Sequence, residues 1–133
     1  MPVTHVVNHE EREIRATAYG SIEIDDVRKH LSEELRDKGL VYRELIDASR
    51  ATTSFSASDV RTIVELLRGY SEKSVLGPTA IIVGNDVSYG MIRMLAILIE
   101  DVCTIQPFRT RQEAEEWLGS TAAANRPTSI EPA

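Results

Sequence analysis

A chain of 133 residues, 42% hydrophobic and 27% charged, is long enough for one self-sufficient core. Aromatics make up only 5%, so that core must be built from aliphatic side chains, and a formal net charge of −6 offers no basic footprint for nucleic acid or an anionic membrane. A single cysteine, Cys103, excludes a disulfide framework and a cysteine metal site.

Val3 to Val7 and Glu13 to Tyr19 flank the polar turn Asn8-His9-Glu10-Glu11-Arg12, and Ile14, Ala16 and Ala18 alternate with polar neighbours. This period-2 pattern predicts a β-hairpin that Gly20 ends. Ile24, Val27, Leu31 and Leu35 recur at helical spacing among charged residues, predicting a helix over 24–38 stopped by Asp37-Lys38-Gly39. Val41 to Ala48 is mostly apolar after Arg43 and Glu44 and reads as a central strand. It runs into a polar turn rich in hydroxyls: Ser49, Thr52, Thr53, Ser54 and Ser56, with Ser58 just inside the next helix.

That helix has a well specified start. Ser56 and Asp59 have the spacing of a capping box, and Phe55 and Val60 that of a hydrophobic staple. Val60, Ile63, Val64 and Leu67 form its expected buried stripe, and Gly69 marks its fading end. Thr79 to Val83 reads as a buried parallel strand, after which Asn85 or Asp86 caps a helix from Val87 to Glu100. Val102 to Phe108 is a last strand, weakened by Pro107. Thr110 caps the final helix through Glu113, with Ala114, Trp117 and Leu118 inward. The small and polar residues from Gly119 onward predict a disordered tail over 119–133, leaving a domain over 1–118.

The expected fold is therefore α/β: one mixed sheet of about five strands, an opening hairpin, then alternating helices and strands with about four helices. No Gly-rich phosphate loop follows any strand, and no apolar run approaches membrane-spanning length. No secretory leader is legible, which sets the cytoplasm as the expected location.

Two stretches are candidate functional sites. The first is the hydroxyl-rich turn, Ser49 to Ser58, with Asp47 at the strand end expected to orient Thr52–Ser54 by hydrogen bonds rather than to act as a catalytic base. The second is the Val87–Glu100 helix, which is apolar around most of its circumference. Tyr89, Met91, Ile92, Met94, Leu95 and Ile99 are expected either to form an apolar interface or to line a site for a small apolar ligand. The strip Tyr89, Ile92, Ala96 and Ile99 is the expected homodimer contact, which Ile92→Glu would dissociate. His5, His9 and His30 lack metal-ligand spacing and are expected on the surface; Cys103 is expected in the core. Neither a catalytic residue, a metal nor a cofactor is expected.

The opening hairpin, the LIDAS strand leading into SFSASDVRTIVELL, the AIIVGNDVSYGMIRML segment and the closing PFRTRQEAEEWL together resemble the SpoIIAA-like group. That group is related to the STAS domains of anti-sigma-factor antagonists and, in fold, to CRAL-TRIO lipid-binding domains. The resemblance covers about residues 3–118. In the antagonists this turn ends in Asp-Ser-Ser-Gly and a serine there is phosphorylated to switch partner binding. Aligned from Asp47, the first of those serines falls on Ser56, while Phe55, Ala57 and Ser58 stand in place of the Asp, the second Ser and the Gly. The resemblance implies a non-enzymatic regulatory or protein-interaction module. A carrier or sensor of a small apolar, lipid-like ligand is the alternative.

Overall fold

The computed structural model describes residues 2–124. Their order is β1 (Val3–Asn8), β2 (Glu13–Ile22), α1 (Ile24–Arg36), β3 (Arg43–Thr53), α2 (Ala57–Ser71), β4 (Thr79–Val83), α3 (Asp86–Leu98), β5 (Ile105–Phe108) and α4 (Arg111–Ala124). The five strands form one mixed sheet in the order β1-β2-β3-β4-β5. Only the β1–β2 hairpin is antiparallel; β2, β3, β4 and β5 pair in parallel through helical crossovers. The α/β architecture expected from the alternation of patterns is the one observed.

Alternation along the strands sorts side chains onto two faces. Leu45, Ala80 and Ile82 meet Ala114 and Leu118 of α4 on one side. On the other, α1, α2 and α3 form a layer in which Val60, Ile63, Leu67, Leu95, Ile99 and Cys103 are buried together. Cys103 sits in the core as expected, and burial raises its thiol pKa to about 11.

Two strands differ from the sequence reading for a shared reason. β2 continues through Gly20, which has φ of +74°, as far as Ile22, and β3 continues through the hydroxyl-rich stretch as far as Thr53. Their register shifts between Thr17, opposite Asp47, and Tyr19, opposite Arg50. One extra residue on β3 breaks the period-2 pattern, so Ala48 and Ala51 face inward three positions apart. A polar turn was the natural inference from that interruption; a bulged strand is the observed structure. Gly84 lies close against this bulge, where an added Cβ would collide with the Ser49 carbonyl oxygen.

The helix caps follow the sequence closely. Asp59 N donates to Ser56 Oγ at 3.0 Å and Ser56 N to Asp59 Oδ2 at 3.1 Å, completing the capping box. Ser88 N donates to Asn85 Oδ1, and Glu113 N to Thr110 Oγ1. Helix α4 ends at Ala124, past the point where the tail was expected to begin; residues 125–133 lie outside the described residues. Among the described residues no helix is long and apolar enough to cross a membrane.

Candidate functional site

Between the sheet and the α1–α3 layer lies a cavity of about 170 Å³. Its walls are almost wholly apolar: Val27 and Leu31 from α1, Ile46 and Ala48 from β3, Ile81 and Val83 from β4, and Ile92 and Leu95 from α3. Besides Asp26 and Thr79 at its border, polar groups enter as two pairs. Thr53 and Ser88 approach each other at 3.3 Å, and His30 and Glu44 supply a charged wall.

The charged wall is the main departure from the sequence reading. The expected stripe of α1 is only partly buried, with Leu35 exposed, while its most buried members are His30 and Glu34. His30 Nε2 lies 2.8 Å from Glu44 Oε2 and 3.2 Å from Glu34 Oε2. One ring nitrogen carries at most one hydrogen, and the shorter contact with Glu44 takes it. Glu34 Oε2, on a residue only 3% exposed, is left without a hydrogen-bond partner, as is His30 Nδ1. Burial opposes charging the His30 ring, but Glu34 and Glu44 outweigh it and raise its pKa. Burial raises the Glu34 carboxyl pKa, and the negative charge of Glu44 raises it further.

The expectation that all three histidines lie on the surface is corrected. His9 is exposed beside the Tyr42 hydroxyl, but His30 is buried and the His5 ring packs edge-on against it, 3.1 Å from Asp37. A signal for the cluster existed. His30 and Glu34 fall in phase with Val27 and Leu31, so the stripe that buries the leucine must also bury them. Glu44 stands two residues before Ile46 on β3, and strand alternation puts the two on the same inward face.

The hydroxyl-rich stretch is divided by the strand. Asp47 lies on the α4 face, where Oδ1 accepts from Ser49 Oγ at 2.6 Å and from Ser49 N, and Oδ2 accepts from Arg111 at 2.8 Å. Hydrogen bonds from Ser49, supported by the Arg111 charge, hold its carboxyl below the ordinary carboxylate range. Asp47 therefore ties β3 to α4 and does not orient Thr52–Ser54 as expected. Thr52 and Ser54 are exposed, Thr53 turns toward Ser88, and Ser56 caps α2. Ser58 is exposed in the first turn, its carbonyl accepting from Thr62. Ser56→Ala should cost about 0.5–2 kcal/mol, measured as a lower urea midpoint, with Ser56→Asp recovering much of it; equal midpoints for wild type and Ser56→Ala would refute the cap.

The apolar circumference of α3 also sorts differently from expectation. Ile92, Leu95 and Ile99 are buried, Met91 is partly buried against the core, and Tyr89 is half-buried beneath the Arg109 guanidinium at 4.4 Å. The exposed side consists of Val87, Met94, Ile97 and Leu98. The strip expected at a dimer contact is thus largely the inward one.

Among solved structures, the chain is similar to an uncharacterised protein of the DUF3478 family with a SpoIIAA-like fold, from Shewanella loihica PV-4. The TM-score is 0.59 at 13% identity, over 87% of this chain and 93% of that one. The fold is SpoIIAA-like. No family model matches the sequence, and no curated protein matches it. The SpoIIAA-like order places α1, with its buried histidine and glutamate, over β3, and it places the N-terminus of α2 directly after the cavity residues Thr53 and Phe55.

Proposed function

We propose that this domain is a non-enzymatic binding module, a carrier or sensor that takes a small, largely apolar ligand into the cavity between its sheet and its three-helix layer. The observation that supports this is the cavity itself. Its volume of about 170 Å³ and its almost wholly apolar lining suit a small apolar molecule, whose burial there removes apolar surface from water on both sides. An apolar cavity of about 150 Å³ holds a molecule the size of benzene. Of the candidate residues on α3, Ile92 and Leu95 line the space. The relation in fold between SpoIIAA-like and CRAL-TRIO domains is consistent with such a use.

The regulatory element of this reading is the start of α2. Thr53 and Phe55 border the cavity, and the next residues carry the exposed hydroxyls Ser54, Ser56 and Ser58. Filling the cavity would act on the same few residues that a protein partner or a kinase would meet.

Native mass spectrometry of protein purified from its own source tests the reading, since a retained ligand is seen directly. In parallel, benzene and short straight-chain alcohols at about 100 times their Kd should raise stability by about 2.7 kcal/mol. Ala48→Leu fills part of the cavity and should abolish that response while the protein stays folded. A wild-type chain with no retained ligand and no response to any probe would refute the proposal.

A second reading concerns the outer face of α3. Val87 and Ile97, 68% and 60% exposed, lie with Met94 and Leu98 on one side of the helix, an apolar strip that a second copy could cover in a symmetric homodimer.

A further inference from the structure

We infer that His30, Glu34 and Glu44 form a binding site for a divalent transition-metal cation, held through His30 Nε2, Glu34 Oε2 and Glu44 Oε2. One donor atom from each of the three residues lies within 4.8 Å of the other two. Two of their separations are 2.8 and 3.2 Å. Metal bonds of about 2.0–2.2 Å place neighbouring ligands roughly 3.0–3.4 Å apart, so an ion enters with small side-chain adjustments.

The second observation is the unpartnered Glu34 Oε2. A buried carboxylate oxygen with no donor forgoes its hydration with nothing in return, and this one points into the cluster, beside a ring nitrogen already committed to Glu44. A cation shared by all three groups satisfies it. Charge argues the same way. Bound to a metal, the imidazole is neutral and both carboxyls are ionised, so a divalent ion replaces the protons the cluster otherwise holds and matches the two negative charges. The ligand set, one imidazole and two carboxylates, suits Zn²⁺, Fe²⁺ or Mn²⁺ better than the all-oxygen sites of Ca²⁺ and Mg²⁺.

The scaffold is stiff. His30 and Glu34 stand one turn apart on α1, and Glu44 comes from β3 beneath it. His30 and Glu44 also border the cavity, which leaves that side for a water or another donor to complete the coordination. The three donors are supplied by the protein alone, so Zn²⁺ binding read by calorimetry requires no organic occupant of the cavity.

The test uses the full chain, stripped with a chelator and titrated with Zn²⁺ by calorimetry, with thermal denaturation alongside. One equivalent should bind at micromolar Kd or tighter and raise the melting temperature. The hydrogen-bond partners of a metal ligand are by themselves worth ~10–100-fold in affinity, so Glu34→Gln and Glu44→Gln should each weaken binding by at least about tenfold. Glu11→Gln, on the exposed hairpin turn, should leave it unchanged. Wild-type binding no tighter than that of Glu34→Gln would overturn the inference and leave a proton-bridged ion cluster. Should the glutamine variants fail to fold, Co²⁺ bound to the wild type decides. Intense visible absorption from a four- or five-coordinate site supports the inference, and a spectrum no different from the hydrated ion overturns it.

Discussion

Ile92→Glu should unfold the domain, whereas Ile97→Glu, five residues along the same helix, should leave its stability within about 0.5 kcal/mol of wild type. Ile92 is 8% exposed and faces the cavity, with Leu95 beside it, while Ile97 is 60% exposed. The first substitution loses roughly 1.5–3 kcal/mol of apolar burial and adds the cost of a carboxylate among aliphatic side chains. The combined loss, at least about 4 kcal/mol, approaches the whole stability of a small domain. Circular dichroism and urea denaturation check both halves. Sedimentation of Ile97→Glu adds the functional half: if the outer face of α3 joins two copies, this variant should be monomeric where the wild type is dimeric. A folded Ile92→Glu protein would show that the inward face of α3 has been misplaced.

The contrast between these two isoleucines also shows where sequence reasoning reaches its end. Helix α3 was legible as a helix because Asn85 caps it and a long, mostly apolar run follows, with the single Gly90 and the charge of Arg93 within it. Which side faces the sheet was not legible, because a helix with apolar residues on most of its circumference has little amphipathic direction to read. The same limit explains β3. Its first half is mostly apolar after Glu44, and the strand is evident there; beyond the bulge the inward residues fall out of phase, and the exposed hydroxyl side chains of Ser49 and Thr52 read as a turn. The capping box at Ser56 and the Thr110 hydroxyl cap were legible at residue level, since their chemistry is local. The His30–Glu34–Glu44 cluster is not local. Its helical half lay in the periodicity, but the third member is brought in by the pairing of sheet and helix layer, and charged residues within an amphipathic pattern read by default as its solvated face.

That cluster supports the other large effect. With metal removed by a chelator, His30→Leu should destabilise the domain by about 3–5 kcal/mol, because it leaves Glu34 and Glu44 buried near each other without the group that lies between them. Replacing all three, as His30→Leu with Glu34→Met and Glu44→Leu, should return the stability to wild type or exceed it by about 1–4 kcal/mol. The reasoning is one of sign. Taking charged groups out of water costs several kcal/mol each, and their mutual attraction offsets that cost only when every lone pair finds a partner. Here Glu34 Oε2 and His30 Nδ1 find none. Apolar side chains of similar volume would incur no such cost, and they would extend the wall already formed by Val27, Leu31 and Ile46. Urea denaturation of the wild type, the single variant and the triple variant decides the matter. A triple variant at least as stable as wild type would mean that the cluster burdens the fold, as expected of groups retained for binding. A triple variant less stable than His30→Leu alone would mean that the cluster is a structural tie between α1 and β3.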